Sequence, residues 1–318
     1  SRTYAMDAVG KATALMIDRG EKPTILSAIS KYHLTEGLRK NMNDAMDILA
    51  GAAVQTGPKN ILNEGYKGLP VAITVEGSNP MTRNMLIFGQ ALVLSHPHLK
   101  NHMEAAADNN GKGVVKHVMK HTLNAAGNMI KSFVMGFTDG RFSATPKHSN
   151  KKMKRYYQKL NRMSANFSVL SNMALLSYGG KLKIMERVSA RLGDIESHVA
   201  IASMTLWKFE KDGCPKEGLP LVERALQENL HEAEKAMKDL TENFTGGFMM
   251  RGLLRAITTP QSYLPFSGRY RNKMPTDKLD HKVTKSITVP GATRDRLVDN
   301  IYKTKDVTQQ VGLLEKAF

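Results

Sequence analysis

The sequence predicts an all-α protein, a helical bundle followed by a second helical region. Apolar residues repeat at helical spacing over most of its 318 residues, and nineteen Met against one Trp suit adaptable helix packing. The longest apolar stretches stay short of the ~18 residues a membrane span needs. Apolar content is ordinary for a folded domain, and the length suits roughly two domains.

The elements read in order. Ala5, Ala8, Val9, Ala12 and Met16 form one face, and Gly20 ends that helix. Pro23 is suited to the first turn of a second helix, whose later face is Leu38, Met42, Ala45 and Leu49. A loop spans Gly51 to Pro58. Leu69 to Gly77 is short, apolar and non-helical in pattern, with Val71, Ile73 and Val75 alternating as in an extended segment. Asn79 then caps a helix with Pro80 in its first turn, running to about Leu94 before His96-Pro97-His98 breaks it. Ile184, Val188, Leu192, Ile195, Val199, Ala202 and Leu206 make one long stripe. Leu226, Leu230, Ala233, Met237 and Leu240 make another. Polar loops are expected at Asp139 to Asn150 and Asp212 to Pro220. After Pro260 the prolines at 265, 275 and 290 predict irregular chain. A stripe by itself means helix packed on helix and carries no function.

Cys214 is the single cysteine, which excludes an intrachain disulfide and a Cys-based zinc site and fits a reducing, intracellular compartment. The sequons at Asn166 and Asn243 are accordingly read as inert. The net charge is +17. Residues 1–100 hold 11 Lys and Arg against 8 Asp and Glu, and residues 101–318 hold 35 against 21. Such a field favours an anionic partner: a nucleotide-bearing ligand, an acidic protein, a phospholipid surface or a nucleic acid. Aromatic interleaving of the kind that binds single strands is missing, so nucleic acid is not expected. His117 and His121 share a helix face but lack a third ligand, and no metal site is expected. His96 and His98 read as surface residues. Arg155, Lys159 and Arg162 read as a solvated face. Within 244–257, Phe248, Met249, Leu253, Leu254 and Ile257 are apolar beside Arg251 and Arg255. That pattern suits burial against the rest of the domain, or a helix lying in a membrane interface.

Val75-Glu76-Gly77-Ser78 is the segment with chemical content. A carboxylate between an apolar segment and a helix start is placed for partial desolvation, which raises its pKa towards a useful general base. Gly77 permits close approach of a ligand. A solvated turn carboxylate is the plainer reading of the same spacing.

Several blocks together resemble the FadE-type fatty acyl-CoA dehydrogenases. They lie at 21–36, at 43–48 (Asn-Asp-Ala-Met-Asp-Ile), at 73–79 (Ile-Thr-Val-Glu-Gly-Ser-Asn) and at 154–166. Further blocks lie at 187–194 (Arg-Val-Ser-Ala-Arg-Leu-Gly-Asp), 277–283 and 311–315. The resemblance implies an FAD enzyme that converts fatty acyl-CoA to trans-2-enoyl-CoA in fatty-acid β-oxidation. Glu76 would abstract the α-proton while the β-hydrogen leaves as hydride to the flavin. Gly77 would meet substrate, and the Glu76 backbone N–H and a flavin hydroxyl would polarise the thioester carbonyl. Ser78, Asp47 and Gly51 would meet FAD. The family's Gln-Ile-x-Gly-Gly-x-Gly stretch corresponds to Asp47-Ile48-Leu49-Ala50-Gly51-Ala52-Ala53, where Ala50 and Ala53 replace glycines; Pro80 replaces a Gln.

On this resemblance, residues 1–95 form the dehydrogenase's carboxy-terminal bundle without its first helix, and residues 96–318 form a helical extension. The chain is then a carboxy-terminal portion that is inactive without the amino-terminal and middle domains. The implied partners are fatty acyl-CoA, a second copy in a homodimer and an electron-transferring flavoprotein. The basic excess after residue 100 and the apolar, Arg-bearing stretch 248–257 add an anionic membrane. The implied location is cytoplasmic, with a peripheral seat on the inner face of the cell membrane. The alternative is a non-catalytic helical module for dimerisation or membrane docking.

Overall fold

A computed structural model describes residues 1–57, 60–89, 111–147, 149, 151–263 and 271–298. All regular structure among them is helical. The helices are α1 (Arg2–Asp18), α2 (Thr24–Leu49) and α3 (Asn63–Thr74). Then comes α4, which opens at Asn79–Met81 and continues as a π-helical turn over Thr82–Leu86. After these come α5 (Gly111–Thr138), α6 (Lys151–Tyr178), α7 (Glu186–Lys211) and α8 (Leu219–Glu242). The last are α9 (Gly247–Thr258), α10 (Asp277–Thr288) and α11 (Ala292–Leu297).

The strongest stripes make the centre. Val188, Leu192, Ile195, Ala202 and Leu206 of α7 are buried with Leu226, Leu230, Ala233, Met237 and Leu240 of α8. α7 also packs on α1, α6 and the π-helical turn of α4, and α5 and α9 close on each other beside α6. Ala5 and Val9 of α1 and Ile29 of α2 share an apolar cluster with Ile87, Ile201 and Ala225, so the core crosses the expected boundary at residue 95.

Several local expectations are corrected. Residues 69–74 are helical: α3 accommodates Pro70, and Thr74 Oγ1 donates to the Pro70 carbonyl at 3.0 Å. The β-branched run suggested a strand, but helix formation here starts upstream at Asn63, and only Val75 is extended. Ser78, not Asn79, is the cap of α4, accepting from Met81 N–H at 3.4 Å. Pro23 stands at the cap of α2, and the expected loop from Gly51 begins inside a 3₁₀ turn, Ala50–Val54. Ile184 lies outside α7 and is exposed. The face Leu38 to Leu49 of α2 is left largely open, with Leu38 and Leu49 exposed. Irregular chain after Pro260 gives way to α10, capped by the Thr276 side chain.

The supposed solvated face of α6 is also overturned. Arg162 is fully buried because counter-charges from distant segments reach it: Asp139 at 3.0 Å and Glu234 at 3.5 Å. Asn166, of the first sequon, is buried inside α6 and donates to the Thr258 carbonyl at 2.9 Å. In α9, Leu254 and Ile257 are buried whereas Phe248, Met249 and Leu253 are exposed. The break at His96 to His98, the 95/96 boundary itself and the block at 311–315 lie outside the described residues.

Candidate functional site

The Glu76 turn is built by the end of α3 and the start of α4. Val75 is extended, then Glu76 (φ +57°) and Gly77 (φ +82°) are both left-handed. A left-handed non-glycine residue costs on the order of 1–3 kcal/mol, so its surroundings must hold it there. At Gly77 an added Cβ would carry the strain of the positive φ and meet Met81 Cε at 3.0 Å. The turn is closed by Thr82 N–H donating to the Ser78 carbonyl at 2.8 Å.

Asn79 anchors this turn. It is 1% exposed. Its amide nitrogen donates to Thr35 Oγ1 at 2.9 Å and to Glu36 Oε1 at 2.7 Å. Its amide oxygen accepts from Lys31 Nζ at 2.5 Å. Lys31 also reaches the Ile73 carbonyl in the last turn of α3, at 3.4 Å. One ammonium on α2 therefore ties both flanks of the Glu76 turn. On the far side, the Arg83 guanidinium pairs with both carboxylate oxygens of Asp194 on α7, at 2.7 and 2.5 Å. A Cβ at Gly193 would lie 3.2 Å from the Arg83 carbonyl, so these backbones approach closely.

Glu76 itself is exposed, which corrects the expected desolvation: no described element covers its carboxylate. Gly77 and Ser78 are half-buried beside it. Asp47 and Gly51 are exposed at the far end of α2. They begin eleven residues beyond Glu36, about 16 Å along the helix axis at about 1.5 Å per residue. The structure thus joins Glu76, Gly77 and Ser78 and holds Asp47 and Gly51 apart from them. Among the described residues, nothing lies within 4 Å of a Cβ added at Gly51. Ala50 holds φ +49° and ψ −125°, a conformation that favours glycine. Asn60 fixes the following turn, donating to the carbonyls of Ala53 and Gln55 at 2.7 and 2.8 Å.

Behind the turn, a cavity of about 320 Å³ is bounded by α1, α2, α7 and α8 and includes His33, Glu36, His198 and Asn229 among its walls. His33 and His198 meet edge to face at 5.3 Å, and His198 Nδ1 is 2.9 Å from Asn229 Oδ1. Burial, with His198 second, holds the His33 imidazole well below its usual pKa. Elsewhere on α7, burial pushes the Glu196 carboxyl up to about 8. Among the described residues, no group of three or more His, Cys, Asp or Glu could hold a metal, and no helix is long and apolar enough to cross a membrane. The side chains of His117 and His121 lie outside the description.

Sequence reasoning missed Lys31, Thr35 and Glu36. The signal was present: all three lie in the 21–36 block that carries part of the resemblance, and they recur at helical spacing on α2.

The profile of the bacterial-type acyl-CoA dehydrogenase carboxy-terminal domain matches residues 93–318, more than two thirds of the sequence. The chain belongs to that family. The match begins after the Glu76 turn, so the site residues stand on the local geometry and on the resemblance of their own segments. Among solved structures, an acyl-CoA dehydrogenase from Bacillus anthracis, complexed with FAD, has a similar fold. The TM-score is 0.58 at 16% identity, over 88% of this chain and 40% of the other. The chain thus spans less than half of that protein's length.

Proposed function

We propose that this chain is the helical carboxy-terminal part of a FadE-type fatty acyl-CoA dehydrogenase and that Glu76 is its general base. The observation that carries the reading is the Glu76 turn: an open carboxylate on two consecutive left-handed residues, pinned at both flanks to α2. A base for a weakly acidic α-proton must be carried on a fixed backbone and be reachable by a ligand; the flanks of this turn are held to α2 and its carboxylate is open. Water exclusion around Glu76 then falls to domains outside the described residues, in keeping with the 40% share of the similar dehydrogenase. The backbone N–H of Glu76 is assigned to the thioester oxygen and Gly77 to close substrate approach.

Asp47, Gly51 and Ser78 are the residues assigned to FAD. The open, exposed backbone at Gly51 is compatible with such a ligand, and the Ser78 hydroxyl retains its own proton to donate while it accepts from Met81. FAD, when bound, supplies the hydride acceptor. Residues 1–95 are assigned to the dehydrogenase bundle and 96–318 to its extension. A homodimer and an electron-transferring flavoprotein are the protein partners this reading requires.

One observation favours an added role in membrane docking. Phe248, Met249 and Leu253 are exposed on α9 beside exposed Arg251 and Arg255, and α9 contains no acidic residue. The reaction assignment is tested by mixing the flavin-loaded protein, with its remaining domains, with a fatty acyl-CoA under anaerobic conditions. Bleaching of the flavin with formation of trans-2-enoyl-CoA is expected. Unchanged absorbance with a series of chain lengths would refute it.

A further inference from the structure

We propose that Asn79 is a positioning residue for Glu76, acting through a polar clasp made with Lys31, Thr35 and Glu36 of α2. The inference rests on the reading of Glu76 as base but adds what fixes its direction. Three observations point to it. One residue, Ser78, separates Asn79 from the left-handed pair, so its anchor limits how far the turn can swing. Its side chain is almost wholly buried, yet both of its amide atoms are satisfied from one face of α2. Finally, Lys31 joins Asn79 to the Ile73 carbonyl, so the segment 74–78 is bracketed by a single cation.

The chemistry of the clasp is directional. Glu36 only accepts, so the contact at 2.7 Å requires the amide nitrogen of residue 79 to donate. Thr35 Oγ1 accepts from the Asn79 amide nitrogen at 2.9 Å, and its own proton is shared among the Lys31 carbonyl at 2.8 Å and the Asn79 amide oxygen at 3.2 Å, so Thr35 adapts to either and Glu36 sets the direction. Asn at 79 satisfies Lys31 on one side and the Glu36 carboxylate on the other. Aspartate there would keep Lys31 and set its second oxygen against Glu36. Glutamine at 36 would restore a donor facing that oxygen.

This exchange gives the test. In the full dehydrogenase, Asn79→Asp is expected to lower kcat by on the order of 100-fold, because a displacement of about 1 Å can cost that much, with KM little changed. Adding Glu36→Gln to it is expected to recover most of the loss. Independently of turnover, amide hydrogen exchange at 75–78 is expected to speed up in Asn79→Asp and slow again in the double variant. A merely structural Asn79 would lower melting temperature without separating kcat from KM and without rescue. Wild-type kcat and exchange in a folded Asn79→Asp protein, or a loss that Glu36→Gln leaves untouched, would overturn the proposal. If Asn79→Asp does not fold, Lys31→Met serves instead: unchanged exchange at 75–78 in that folded variant would overturn it, and faster exchange would support it. If Glu76→Gln retained turnover, the base assignment would fall, while the exchange data would still report on the clasp.

Discussion

Arg162→Met removes the central cation of a buried network while keeping much of the side chain's volume. The Arg162 guanidinium is fully buried, with Nε 3.0 Å from Asp139 and Nη2 3.5 Å from Glu234. The Asp139 contact is an ion pair without hydrogen-bond alignment, and Nη1 has no hydrogen-bond partner among the described residues. Removing one member of a buried ion pair typically costs about 3–5 kcal/mol, since the survivors are left as uncompensated charges. Two features place this case at the low end. Asp139 keeps Arg155 and Arg271, and Glu234 keeps the backbone N–H groups of Arg271 and Asn272 at 2.8 and 2.7 Å. The expected loss is therefore about 3 kcal/mol. Arg155→Met, at a half-exposed member of the same network, is expected to cost about 1 kcal/mol or less. Urea denaturation at pH 7, followed by circular dichroism, measures both. Equal losses for the two variants would refute the reasoning, because they would mean that burial does not set the value of the pair.

Two pH-dependent effects and a surface effect follow from the same structure. The Glu196 carboxyl, raised to about 8 by burial, holds a proton in the folded state that the unfolded chain gives up near 4.5. Stability is then lost as pH rises between those values, so Glu196→Gln is expected to melt above the parent at pH 8, with the gap closing towards pH 5. His33 has the opposite sense: its imidazole stays neutral when folded and takes a proton in the unfolded chain below about 6.5. Stability should fall as pH drops through that value, and His33→Phe should flatten part of the fall in melting temperature. On α9, changing Phe248 and Leu253 together to Ser is expected to reduce the salt-resistant part of binding to phosphatidylserine vesicles while leaving the fold intact, because both side chains are exposed. Leu254 is buried and would report on folding instead. Equal, negligible binding of the parent to anionic and neutral vesicles at low salt would remove the membrane reading.

How much of this was legible in sequence depended on how local the cause was. The stripes of α1, α7 and α8 were read correctly, Ile184 apart, because a helix that buries one face repeats its apolar residues whatever its neighbours do. The loops at 139 and 212 started where their turn residues put them, but the second is shorter than expected: Lys216–Gly218 is a 3₁₀ turn and α8 begins at Leu219, with Pro220 in its first turn. α3 was misread because Pro70 and the β-branched residues after it are local signals for extension, overridden by a helix already begun at Asn63. α10 was lost among prolines although Thr276, Asp277 and Asp280 make an ordinary helix start. Arg162 was beyond reach for a different reason: its counter-ions come from Asp139 and Glu234, and only the tertiary fold brings them to α6. The candidate site divides in the same way. Glu76 and Gly77 were visible as a motif, whereas the clasp on Asn79 required residues more than forty positions apart.

The central claim is that Glu76 removes the α-proton, and Glu76→Gln in the full dehydrogenase tests it most directly. The variant should retain flavin and bind fatty acyl-CoA, since Gln keeps the side chain's size and the clasp lies elsewhere. Rapid-mixing measurement of flavin bleaching should show the reductive step slowed by about 100- to 10,000-fold or more, the range that loss of a general base produces. Bleaching at a rate close to the parent's, in a variant that binds substrate normally, would contradict the assignment.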